Sequence, residues 1–147
     1  MVQVTHSVIF HSSSATLFAA LTDFQNAPKW QPAVIEERAL TDGPLQVGVK
    51  TYQKRLFMGK PVESTCEIIE FEQDRKMVCS REGEVRTSYL LEPIEDGTKL
   101  TFSIDLQGKG LKWSLLQPLI KAGLTRDVVT RFQTLKGQLE AHEQVAA

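Results

Sequence analysis

Tyr89 and Arg81 are the two residues of this chain best suited to chemistry, and each depends on which way its strand faces. A buried phenol wants a hydrogen-bond partner, so an inward Tyr89 would be a polar handle inside an apolar space. An inward arginine needs an anion, which a ligand carboxylate or phosphate could supply. Together the pair could stabilise an enolate or orient a carboxylate. Arg55 raises the same question on a strand without clean alternation. The plain alternatives are a satisfied core tyrosine and solvent-facing arginines.

The other chemistry-bearing residues point to structure. His6, His11 and His142 are the only histidines. His6 and His11 fall on opposite faces of one strand, so a surface or strand-end place suits both. No Ser-His-Asp constellation is visible, and Ser12, Ser13 and Ser14 read as a loop and helix cap. The carboxylate pairs Glu36-Glu37 and Glu70/Glu72 sit on strands whose opposite faces carry apolar residues, so they read as solvated edges. Cys66 and Cys79 lie on neighbouring strands without CxxC spacing or further ligands nearby. They read as reduced core thiols, and neither a metal nor a cofactor is expected.

The elements that must position these residues follow from periodicity. Val2–His11 predicts a strand rich in β-branched residues. Ser13 or Ser14 can cap a short helix whose stripe is Leu17, Phe18 and Leu21. Asp23 is placed to cap a second helical turn, kept short by Pro28 and Pro32. Strands follow over Val34–Leu40, Val47–Phe57 and Val62–Phe71, with a bulge expected near Phe71. Lys76–Arg81 and Glu84–Glu92 pair around Gly83. A two-residue loop there turns Val78 and Ser80 inward, and a three-residue loop turns Met77, Cys79 and Arg81 inward. Asp96-Gly97 predicts a tight hairpin with Leu91 opposite Phe102 and Tyr89 opposite Ile104. From Leu111 the period lengthens. Leu116, Ile120, Leu124, Val128, Phe132, Leu135 and Leu139 form the stripe of a long amphipathic helix. One long helix must bury that stripe against the hairpin-built sheet, which gives a two-layer α+β arrangement.

Composition narrows the classes. The 147 residues predict one domain, 1–147. With 17 basic and 18 acidic residues, net charge −1 and no long run of one sign, a dedicated nucleic-acid surface is not expected. No apolar run approaches the roughly 18 residues that span a bilayer, and the N-terminus does not read as a signal peptide. A cytoplasmic chain is expected.

Five segments together resemble one superfamily. Ser14…Leu17-Phe18…Leu21-Thr22-Asp23…Pro28…Trp30…Pro32 is similar to its opening helix pair. Gly43-Pro44-Leu45…Val47-Gly48 resembles its turn before the third strand, and Glu67-Ile68-Ile69-Glu70-Phe71 a later strand. Gly97-Thr98-Lys99-Leu100-Thr101 and Leu135-Lys136…Leu139-Glu140 are similar to its hairpin and the end of its last helix. The family is the START-like, polyketide cyclase/dehydrase-like (SRPBCC) superfamily. The resemblance implies a helix-grip fold: about seven curved antiparallel strands around a long C-terminal helix, with two short helices after the first strand. It also implies a largely apolar pocket between sheet and helix.

On that fold, Phe24, Trp30, Tyr89, Ile104, Trp113, Leu116 and Ile120 are expected to line the pocket, with Arg81 joining them if it turns inward. Trp30 and Trp113 would flank its mouth. The function expected first is binding of a small hydrophobic or amphipathic partner such as a lipid, isoprenoid or polyketide-like molecule. A cyclase/dehydratase-type enzyme using Tyr89 and Arg81 is the alternative. A chaperone-activator-like interaction module is the third.

Overall fold

The alternating segments build a single seven-stranded antiparallel sheet with the order β1-β7-β6-β5-β4-β3-β2. The computed structural model describes residues 1–146, and side chains through residue 141. The strands are β1 (Val2–Phe10), β2 (Val34–Ala39), β3 (Lys50–Phe57), β4 (Lys60–Glu72), β5 (Lys76–Arg81), β6 (Val85–Ile94) and β7 (Gly97–Leu106). Helix α1 (Ser14–Leu21) and a 3₁₀ turn (Phe24–Lys29) follow β1, and α2 (Leu111–Ala146) ends the chain. The side chain of His142 lies outside the described residues.

Helix α1 starts where its cap dictates. Ser13 Oγ accepts from the backbone N–H of Thr16 at 3.1 Å, satisfying one free donor of the first turn. Leu17, Phe18 and Leu21 are its buried face. Asp23 stands at the N-terminus of the 3₁₀ turn but makes no capping bond. Its carboxylate instead accepts from the side chain of Asn26.

Two turns settle which side chains face inward. Arg81 pairs with Val85, so the β5–β6 loop has three residues, and Met77, Cys79 and Arg81 share a face with Val85, Thr87 and Tyr89. The β6–β7 turn differs from expectation. Ile94 pairs with Gly97, so the loop is Glu95-Asp96, and Tyr89 stands opposite Phe102 and Leu91 opposite Leu100. The shift is two residues, which preserves the inner face because side chains alternate with period two. Gly97 is needed for another reason. A Cβ there would lie 2.1 Å from the carbonyl oxygen of Phe10, where the end of β1 lies beside the start of β7. The β4 irregularity falls between Ile68 and Glu70, just before Phe71.

The core sits where α1 and the second half of α2 meet β1, β6 and β7. Phe102 and Phe132 pack edge to face at 5.1 Å, and Phe132 also meets Trp30 at 5.9 Å. Along α2 the first fully buried side chain is Val128, followed by Arg131, Phe132 and Leu135. Residues 111–124 of the helix are at best half-buried. So the helix docks through its C-terminal half and stands away from the sheet over its N-terminal half. Pro118 lies in that half and denies the Ser114 carbonyl its helical N–H.

Candidate functional site

Where α2 stands away, it encloses a cavity of about 680 Å³ against the sheet. Val62, Val85, Ile104 and Leu106 form the sheet wall; Trp113, Leu116, Ile120 and Leu124 form the helix wall. Leu56 and Phe57 at the end of β3, Met58 of the β3–β4 turn and Leu119 of α2 stand at its edge, exposed to solvent. Trp113 is set in place by Gly108: a Cβ at that position would meet the indole ring at 2.3 Å. A smaller hollow of about 50 Å³ lies deeper, beneath Glu37, Thr51, Gln53, Tyr89 and Arg131. Arg55, Arg81 and Ile104 line both spaces, so the two meet there.

Strand register explains this polar floor. The inner face of β3 is Thr51, Gln53 and Arg55, opposite Cys66, Ser64 and Val62 of β4. A register shift between Val34 and Glu36 in β2 puts Glu37 opposite Gln53 and turns it inward. Glu37 is therefore not the solvated edge residue its sequence suggested. Glu36 is exposed, whereas Gln53 Nε2 donates to Glu37 Oε2 at 3.1 Å. Glu70 pairs with Lys76 and Arg86, and Glu72 with Arg75, so these two behave as surface carboxylates.

Charge is unevenly matched on this floor. Arg131, 4% exposed, pairs with Asp127 one helical turn away and lies over the Phe102 ring at 5.5 Å. Arg55 and Arg81 form no ion pair with any described residue. Burial, with help from Arg131 and Arg81, lowers Arg55 to about 10. Burial raises the carboxyl of Glu37 above its ordinary value, and the bond from Gln53 and the charge of Arg81 only partly oppose this. Burial likewise raises the Tyr89 phenol. Cys66 and Cys79 are free thiols side by side; the hydrogen bond between them, then burial, pushes Cys79 up.

Unpaired atoms mark the same place. Seven buried side-chain N or O atoms lack a partner among the described residues, and only Asp105 Oδ1 lies outside these walls. The rest are Gln53 Oε1, Ser64 Oγ, Trp113 Nε1 and the Nε atoms of Arg55, Arg81 and Arg131. Buried polar groups are ordinarily satisfied, so these atoms leave unused hydrogen-bonding capacity along the cavity and the hollow.

The structure thus brings Arg81, Ile104, Trp113, Leu116 and Ile120 together around the large cavity. Phe24 and Tyr89 line the smaller hollow. Trp30 lines neither; it is 3% exposed and packs in the core against Phe132. Sequence reasoning missed Glu37, Gln53 and Arg131. Arg131 was legible: it lies three residues after Val128 and four before Leu135, on the buried stripe itself. His6 faces inward opposite Phe102 but is half-exposed, and His11 lies beyond β1, exposed. Among the described residues no group of three or more His, Cys, Asp or Glu could hold a metal ion. No helix among them is long and apolar enough to cross a membrane.

A curved antiparallel sheet closed around one long helix, with a cavity between, defines the helix-grip class of α+β proteins. Solved structures share this fold. A protein of Thermus thermophilus superposes with a TM-score of 0.78 at 13% identity, covering 95% of this chain and 98% of its own. A START superfamily protein from Mycobacterium smegmatis gives 0.75 at 14%, covering 95% and 97%. The Aha1 dimer from Colwellia psychrerythraea gives 0.63 at 17%, covering 92% and 94%. A search of curated proteins found no match. The family described as polyketide cyclase / dehydrase and lipid transport matches residues 1–140, and the chain belongs to it.

Proposed function

We propose that the protein binds a small hydrophobic or amphipathic molecule between the sheet and the first half of α2. The observation that carries this reading is the cavity of about 680 Å³ with aliphatic and aromatic walls. Ligand pockets span roughly 300–1,000 Å³ and combine apolar walls with a few polar groups. Membership in a family that includes lipid transport supports the same reading. A panel of fatty acids, fatty alcohols, isoprenoids and aromatic polyketides should contain compounds that raise the melting temperature, since a ligand selective for the folded state stabilises it. Ile120→Trp, which fills the cavity, should abolish that rise. A panel without a stabilising member, or a rise that survives Ile120→Trp, would count against the site.

A second reading has one specific support. Tyr89 and Arg81 line the same hollow, as a cyclase or dehydratase that stabilises an enolate would need. Turnover of a poly-β-keto substrate that is lost in Tyr89→Phe would favour it over binding alone.

A further inference from the structure

We propose, building on the reading of the cavity as a binding site, that its occupant carries a carboxylate head group held by Arg55 and Arg81. Both guanidinium groups line the junction of the large cavity and the inner hollow. Both have a buried Nε atom without a partner, and neither forms an ion pair with a described residue. Arg131, the third arginine of the cluster, is already matched by Asp127.

The charges decide what is missing. Among the charged side chains of these walls that are not exposed, Arg55, Arg81 and Arg131 stand against Glu37 and Asp127, three positive against two negative, which leaves one positive charge in excess; Glu63, Glu82 and Glu84, which also border the large cavity, are exposed to solvent. Buried cations without partners are unfavourable, and an incoming anion restores the balance. A monoanion matches an excess of one, whereas a phosphomonoester brings about −1.5 to −2 charges at neutral pH. A planar carboxylate also suits the fork of a guanidinium, which can offer it two parallel N–H donors. The apolar remainder of the ligand then lies between Val85, Ile104, Trp113, Leu116 and Ile120. The protein therefore selects acids over alcohols of the same tail.

Isothermal titration of the full chain at neutral pH with dodecanoate and dodecanol separates head from tail. Wild type should hold dodecanoate about tenfold or more tighter than dodecanol, the scale of a charge-assisted hydrogen bond. Arg55→Gln and Arg81→Gln should each lose most of that preference, with circular dichroism spectra matching wild type to show that they fold. Equal affinity for acid and alcohol in wild type overturns the head-group assignment while leaving the cavity reading intact. A preference that survives in both variants overturns it as well, as does tighter binding of dodecyl phosphate than of dodecanoate. If neither probe binds, this proposal falls, and the cavity reading then rests on the other members of the panel.

Discussion

Glu37 sits among groups that decide its charge: Gln53, Arg81, Arg131 and Arg55 face it, and burial opposes its ionisation. Arg55, at about 10, stays charged at every pH where a carboxyl titrates. The folded protein therefore holds the Glu37 proton more tightly than the unfolded chain does. A raised carboxyl contributes stability that is fully present below its unfolded value and is lost as pH rises through its folded value. Wild type should accordingly lose melting temperature relative to Glu37→Gln as pH climbs from the ordinary carboxylate range towards neutrality. Parallel melting curves for the two proteins would refute this. The same residues show why the floor was hard to read from sequence. Thr51 and Gln53 are buried, yet on β3 their polarity reads as a solvent face, and periodicity alone cannot tell a polar inner face from an outer one. Tyr89 was easier, because its inner-face neighbours on β6 and β7 are apolar apart from Thr87.

Among the elements, hairpins were legible in face and less so in register. The β6–β7 turn lies two residues from its expected pairing because Gly97 closes the hairpin and the loop is Glu95-Asp96, with Asp96 at φ 64°. Asp-Gly signalled the turn correctly; what sequence could not show is that the end of β1 comes up against Gly97. Gly97→Ala should push the Phe10 carbonyl aside and destabilise the protein by about 1–3 kcal/mol, as overpacking does. Gly137→Ala makes the opposite test. Nothing lies within 4 Å of a Cβ at that helical position, so the substitution should stabilise by about 0.5–1 kcal/mol. Urea unfolding of both variants checks the contrast, and destabilisation of similar size at the two sites would refute the argument. The bulge in β2 was likewise invisible in sequence, since an extra residue in one strand is defined only by its partner.

At the scale of the whole molecule, the order of elements and the two-layer plan were legible because each strand and the long helix carry their own period. The cavity was not legible in that way. An apolar stripe reads the same whether it meets a wall or a space, and the stripe of α2 does both. Val128, Phe132 and Leu135 touch the core, whereas Leu116, Ile120 and Leu124 face the cavity. The helix is thus fastened at one end and free along the other, as a cantilever is. On the proposed binding function, a guest leaving the cavity would not have to break the sheet's ladder of hydrogen bonds, only to wait for the lever to lift. Pro118, exposed and absent from the cavity walls, softens that lever at its Ser114 carbonyl. Pro118→Ala, by restoring the missing bond, should slow arrival and departure together, lengthening residence time in stopped-flow measurements while leaving Kd nearly unchanged. Unaltered rates would mean that the exit lies elsewhere. Slower exchange at an unchanged Kd would mean that the time a guest stays and the strength with which it is held are governed by different residues.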